Sequence, residues 1–139
     1  MNSSVWNTAK KLLMDDYLSQ YHVICVQEHR LSLPDSEEVQ RWLAAHGWHS
    51  VFAPGVSTSK GATSAGVAVL ARSYLDACYK SDYPSVIVPG RIAAGPLRVR
   101  AIGEMCIYSA YLRVGEGLSL ANARMLESMF THARAHGLA

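Results

Sequence analysis

The chain has 139 residues, half of them hydrophobic, and thirteen Lys and Arg against eleven Asp and Glu leave a formal charge of +2. That apolar content excludes a disordered chain and suffices for the core of one domain, while the balanced charge excludes a general attraction to nucleic acid or to an anionic surface. Cys25, Cys78 and Cys106 are odd in number and widely spaced, which gives neither a zinc site nor a disulfide framework and predicts reduced thiols in an intracellular protein, nuclear or cytoplasmic.

The opening segment, MNSSVWNTAKKLLMDD, holds no apolar signal-peptide core, so the sequon at Asn2 reads as a chance match. Asn7 is placed to cap a helix whose Ala9, Leu13 and Tyr17, with Met14 and Leu18 beside them, recur at the spacing of one helical face. Val23-Ile24-Cys25-Val26 is a short apolar run rich in β-branched residues, the pattern of a strand covered on both faces and therefore central. After a turn at Pro34, Asp35 and Glu38 form a capping box for a second helix with Val39, Trp42 and Leu43 as its buried side, ended by His46-Gly47.

Trp48 to Ala53 reads as a strand, and Gly55 to Gly66 as a Gly/Ser/Thr loop leading into a strand at Val67 to Ala71. The longest apolar run, Ala65 to Ala71, is too short to cross a bilayer, so no membrane partner is expected. Further extended stretches are Ser85 to Val88, Leu97 to Ile102 and Met105 to Leu112. A last helix spans Leu118 to His136, with Ala121, Met125 and Met129 on one row, Leu126, Phe130 and Ala133 on the next, and Gly137 as its C-cap. Neighbouring strands joined only by turns imply antiparallel pairing within a mixed α/β fold, and no repeat or linker divides the chain.

Glu28 follows the first strand directly, and the carboxyl end of a strand is the rim where α/β folds bind ligands. Gln27 and Arg30 add an amide and a guanidinium there. Mg²⁺ takes one or two protein carboxylates and fills its shell with waters and phosphate, so Glu28 is a candidate ligand; a simple ion pair with Arg30 is the plain alternative. His132 and His136 lie one helical turn apart but lack a third ligand, which favours an exposed helix face over zinc. His46 and His49 read as surface histidines. The Gly55 to Gly66 loop lacks the Gly-Lys-Ser/Thr ending of a P-loop and reads as a hairpin connection. Lys80, Arg91, Arg98 and Arg100 are too scattered to make a nucleic-acid patch.

VICVQEHRL, Val23 to Leu31, resembles the signature of the endonuclease/exonuclease/phosphatase superfamily, in which a hydrophobic strand ends in Gln-Glu. SAGVAVLAR, Ser64 to Arg72, resembles that family's glycine-led strand, and IYSAYLRVGEGLSLANARMLESM, Ile107 to Met129, its strand ending in Tyr, then a loop, then a helix. These segments cover nearly the whole chain but only the front part of the family's domain. The resemblance implies a partial four-layered α/β sandwich, DNase I-like, with two packed mixed sheets flanked by helices, and it makes residues 1–139 an incomplete domain.

By the same resemblance Glu28 binds Mg²⁺ or Mn²⁺ together with Asn2, for which Asn7 is the rival position. Tyr111 is the counterpart of the Tyr that contacts the scissile phosphate in apurinic/apyrimidinic endonucleases and LINE-type retroelement endonucleases, and Arg30 matches a phosphate-binding cation. The family's usual Pro after the Tyr-Leu step is Arg113 here. Its Asp-x-Asn and Asp-His motifs are missing, and Asp76 and Asp82 have neither motif's context. The implied function is metal-dependent phosphodiester hydrolysis, on DNA in the parent domain, with little or no activity in this chain. The alternatives are a non-catalytic retroelement remnant or interaction module, and a phosphatase acting on a small or lipid phosphoester.

Overall fold

The computed structural model describes residues 3–15, 18, 20–75 and 85–136. Its elements run α1 (Ser3–Met14), β1 (Val23–Gln27), α2 (Leu33–Ala45), β2 (Trp48–Ala53), β3 (Val56–Ser57), β4 (Thr63–Ser64), β5 (Val67–Arg72), β6 (Val86–Val88), β7 (Ile92–Val99), β8 (Gly103–Ala110) and α3 (Leu120–Ala135). Asn2, Tyr17, Asp76, Cys78, Lys80, Asp82 and Gly137 lie outside the described residues.

Helix α1 begins before Asn7, which is therefore an interior residue and not the cap. Trp6, Leu13 and Leu18 pack with Ile24, Val26 and Trp42, while Met14, expected beside that face, is exposed. The indoles of Trp6 and Trp42 meet edge to face at 5.9 Å, and the Lys10 ammonium lies 5.3 Å from the centre of the Trp42 ring. Helix α2 is capped three residues earlier than the Asp35 box implied: Ser32 Oγ accepts the Asp35 N–H at 3.3 Å, and Pro34 occupies the first turn, where its missing donor costs nothing. Val39 and Leu43 are buried as expected, and Gly47, with φ of +83°, turns the chain into β2.

The described residues form three antiparallel sheets: β1-β5-β2, the small hairpin β3-β4, and β6-β7-β8. Every strand pairing among the described residues is antiparallel, so the mixed sheets implied by the resemblance are not found here. The middle of the first sheet is β5, buried from Val67 to Ala71, and among the described residues β1 is its edge, with Cys25 exposed. The expectation of a central first strand thus fails. A strand whose Ile24 and Val26 face a helix while Cys25 and Gln27 face a second sheet is as apolar as a central one, even with no strand among the described residues on its outer side.

The β6-β7-β8 sheet packs on the first sheet's inner face. Closest approach is at Gly95 of β7, where an added β-carbon would stand 2.7 Å from Val69 Cγ1. Strand β7 begins five residues before the expected Leu97, because Gly95-Pro96 reads as a breaker but is harmless there. Ala94 N–H bonds Ser85 O and Arg91 O accepts the Tyr111 N–H, so even positions of β7 face away from β8 and Pro96 removes no β7–β8 bond.

Helix α3 lies on the outer face of this second sheet. Its N-cap is Ser119, and its buried side carries Asn122, Met125, His132 and Ala133, while Phe130, expected inside, is 54% exposed. The inward row contains two polar residues that a purely apolar pattern overlooks. No described helix is long and apolar enough to cross a membrane.

Candidate functional site

The carboxyl ends of β1 and β8 meet. Gln27 Nε2 donates to Ala110 O at 2.6 Å, and Ser109 Oγ donates to Val26 O at 3.3 Å. Ala110 offers its carbonyl because the Tyr111–Arg91 backbone bond of 2.8 Å sets the alternation that turns even positions of β8 outward. Gln27 to Arg30 and Tyr111 therefore share one rim, although they are far apart in sequence.

Past Gln27 the backbone enters an unusual conformation, with Glu28 at φ 55°, Arg30 at φ 56° and, across from them, Ala65 at φ 59°. Each left-handed non-glycine residue costs about 1–2 kcal/mol and persists only where surrounding bonds over-determine it. Those bonds are His29 N–H to Gly66 O at 3.2 Å, Arg30 N–H to Ala65 O at 2.9 Å, Gly55 N–H to Leu31 O at 2.7 Å and Gly66 N–H to Gly90 O at 2.8 Å.

His29, between the two candidate residues, is the pivot that sequence inspection missed. Its Nδ1 accepts the Leu31 N–H at 3.0 Å, which assigns the proton to Nε2, and Nε2 donates to Val67 O at 3.3 Å. The ring tilts onto Phe52 at 5.2 Å. Burial pushes its pKa down, and hydrogen bonds to the carbonyls of Val67 and Ala53 oppose the shift in part. With both nitrogens engaged, this histidine is a neutral scaffold and not a proton acceptor for water.

Glu28 and Arg30 form an ion pair at 2.6 Å, with side chains 43% and 57% exposed. The Arg30 guanidinium is held above its usual pKa first by the hydrogen bond to Glu28 and then by that carboxylate's charge, with a smaller contribution from the Tyr111 phenol. That coupling places Tyr111 within electrostatic reach of Arg30. Arg91, read from sequence as one of several scattered cations, belongs to the same rim: its Nη1 donates to Tyr111 O at 3.3 Å and its guanidinium lies 4.8 Å from the Tyr111 ring centre. Arg98 is instead paired with Glu104 at 2.7 Å.

The loop after Tyr111 is held by Asn122, buried on α3. Its Oδ1 accepts the Arg113 N–H at 2.8 Å, and its Nδ2 donates to Arg113 O at 3.1 Å and Gly117 O at 2.8 Å. Arg113 stands where the resembled family has proline, and this chain uses the backbone donor that a proline would lack.

No family model, curated protein or solved structure matches the chain.

The rim's donors must therefore speak for themselves. Among the described residues no three His, Cys, Asp or Glu side chains converge as a metal cluster, and Asn2 lies outside those residues. Glu28 binds Arg30 through Oε1 alone, and its half-exposed carboxylate fits the single-carboxylate coordination that Mg²⁺ accepts. Behind it, under α1, lies a cavity of about 240 Å³ whose wall includes Trp6, Ile24, Phe52, Glu28 and His29. The His132–His136 pair is not the exposed face expected: His132 is buried, with Nδ1 2.7 Å from the Tyr108 hydroxyl and its ring 4.6 Å from that of the exposed His136. His46 is a surface histidine stacked on Trp42 at 4.0 Å.

Proposed function

We propose that the rim of Glu28, Arg30, Arg91 and Tyr111 is a phosphodiester-binding site, and that the chain carries the front part of a metal-dependent phosphodiesterase acting on DNA in the parent domain. The observation that carries this is the 2.6 Å bond from Gln27 to Ala110, which joins the ends of two strands from different sheets and so assembles a carboxylate, two guanidiniums and a phenol at one edge. Guanidiniums match the paired oxygens of a phosphate, and the Tyr111 hydroxyl adds a neutral donor. Two facing sheets with helices outside them support the DNase I-like, four-layered arrangement that the resemblance implies.

Glu28 would hold Mg²⁺ or Mn²⁺, with Asn2 as the second oxygen donor by resemblance. Such an ion, when bound, supplies charge stabilisation at the phosphate oxygens. The chain's own residues bind and orient: Arg30 and Arg91 neutralise phosphate, Tyr111 fixes its position, and His29 keeps the Glu28-to-Arg30 turn in shape. His29 cannot serve as the base, and removal of a general base typically costs about two to four orders of magnitude in rate. The proposed outcome is binding without appreciable turnover.

Fluorescence anisotropy with a short DNA duplex in Mg²⁺, beside a nicking assay on supercoiled DNA, tests this. Arg30→Ala and Arg91→Ala should each weaken binding and reduce the slope of log K against log salt by about 1 per lost phosphate contact. Binding indifferent to both substitutions refutes the rim. Mg²⁺-dependent nicking that is lost in Glu28→Ala refutes the inactivity.

A further inference from the structure

The rim does not end at Arg91. Besides donating to Tyr111 O, this residue lines a cavity of about 320 Å³ that Arg113 lines as well, with Val88 and Pro89 at the end of β6 and Ala121 and Met125 of α3 among its walls. The space is ample for a hydrated anion, since one water needs roughly 10–15 Å³.

Among the described residues no carboxylate lines this cavity. Arg30 is paired with Glu28 and Arg98 with Glu104, whereas neither Arg91 nor Arg113 meets an acidic group of the described residues. Two guanidiniums bordering one space raise its potential, and the apolar walls lessen the screening of their charge, so the cavity favours an anion. Ala121 stands in the first turn of α3, whose helix dipole adds its positive end. The Arg113 side chain is exposed, but its backbone is held: Asn122 accepts its N–H at 2.8 Å and donates to its C=O at 3.1 Å, so the guanidinium springs from a fixed root.

We infer that this cavity seats a second phosphate, the neighbour of the one at Tyr111, so that the substrate is a polynucleotide strand held at consecutive phosphates and not an isolated phosphoester. This second seat presupposes the phosphodiester reading of the rim. Arg91 is shared between the two seats, because its guanidinium lies 4.8 Å from the Tyr111 ring centre and also borders the cavity. From Tyr111 to Arg113 the backbone spans at most about 7 Å, a length comparable with the step between neighbouring phosphates of one strand. The planar fork of Arg113 suits the paired oxygens of that second phosphate. The resemblance assigns no ligand to this position, where the family has proline.

The test is titration of the full chain, followed by NMR of its backbone amides, with two thymidine oligomers that lack terminal phosphates: a dimer with a single internucleoside phosphate and a trimer with two. At low salt the trimer should bind about tenfold more tightly, the gain expected of one further neutralised phosphate. Arg113→Ala keeps the backbone bonds to Asn122 and should reduce that gain to the statistical advantage of offering two phosphates to one seat. Arg113→Gln takes its place should the alanine chain not fold. Arg30→Ala should instead weaken both oligomers and preserve the ratio between them. A trimer no tighter than the dimer, or an advantage that survives the loss of Arg113, overturns the second seat, while weakening of both oligomers by Arg30→Ala leaves the rim standing. Indifference of both oligomers to Arg30→Ala, or no binding of either, overturns the rim and the second seat with it.

Discussion

The imidazole of His29 fills the space that Gly66 leaves empty: a β-carbon on Gly66 would come within 2.5 Å of His29 Cε1. Gly66 also has φ of +97°, so its lack of a side chain serves both the backbone and the ring beneath which the rim turns.

Gly66→Ala should therefore destabilise the fold by about 1–3 kcal/mol, from backbone strain plus displacement of His29. Urea unfolding measures the loss. In a double-mutant cycle, Gly66→Ala with His29→Ala should cost less than the sum of the single changes, because the overlap is counted once. Full additivity would show that the two residues do not share this space.

Acid should weaken the same element. Burial lowers the folded pKa of His29 below its ordinary value of 6.5, so the unfolded chain takes up the proton first. The stabilisation is fully present above that value and is lost as the pH falls through the lower folded pKa. Urea midpoints at pH 7.5 and 5 should show the fall, and His29→Gln, less stable at both, should show a smaller one.

Asn122→Leu removes three hydrogen bonds to the loop after Tyr111 and should cost about 1–3 kcal/mol. Limited proteolysis should then cut between Arg113 and Gly117. Arg113→Pro, which restores the residue of the resembled family, should also destabilise, since it leaves Asn122 Oδ1 without its donor.

Gly95→Ala should cost about 1–3 kcal/mol by overpacking the sheet interface, and Val69→Ala in the same chain should recover part of that loss. Thermal unfolding of the three variants checks the compensation.

Much of the scaffold was legible in the residues. Strand β2 has the bounds that its apolar and β-branched pattern implied, α2 buries Val39 and Leu43, and the Gly55 to Gly66 loop is a small hairpin. Edge and centre were not legible, because apolarity reports that β1 is covered on both faces and is silent about its neighbours. Of the site, Glu28, Arg30 and Tyr111 come together at one rim. Arg91 joins them through a register between β7 and β8 that no local pattern encodes. His29 and Asn122 were missed for a shared reason: their partners are mostly backbone groups, and only the folded chain brings those within reach.

Gln27 belongs to one sheet and Ala110 to the other, so any sliding of the sheets must break the bond between them. Arg30 and Tyr111 are thereby fixed to a common frame, and an incoming anion meets a preorganised spacing with little reorganisation left to perform. Cutting this tie with Gln27→Ala would keep every charged group yet leave the spacing between the two halves of the rim to the weaker Ser109–Val26 bond and the packing of the sheets.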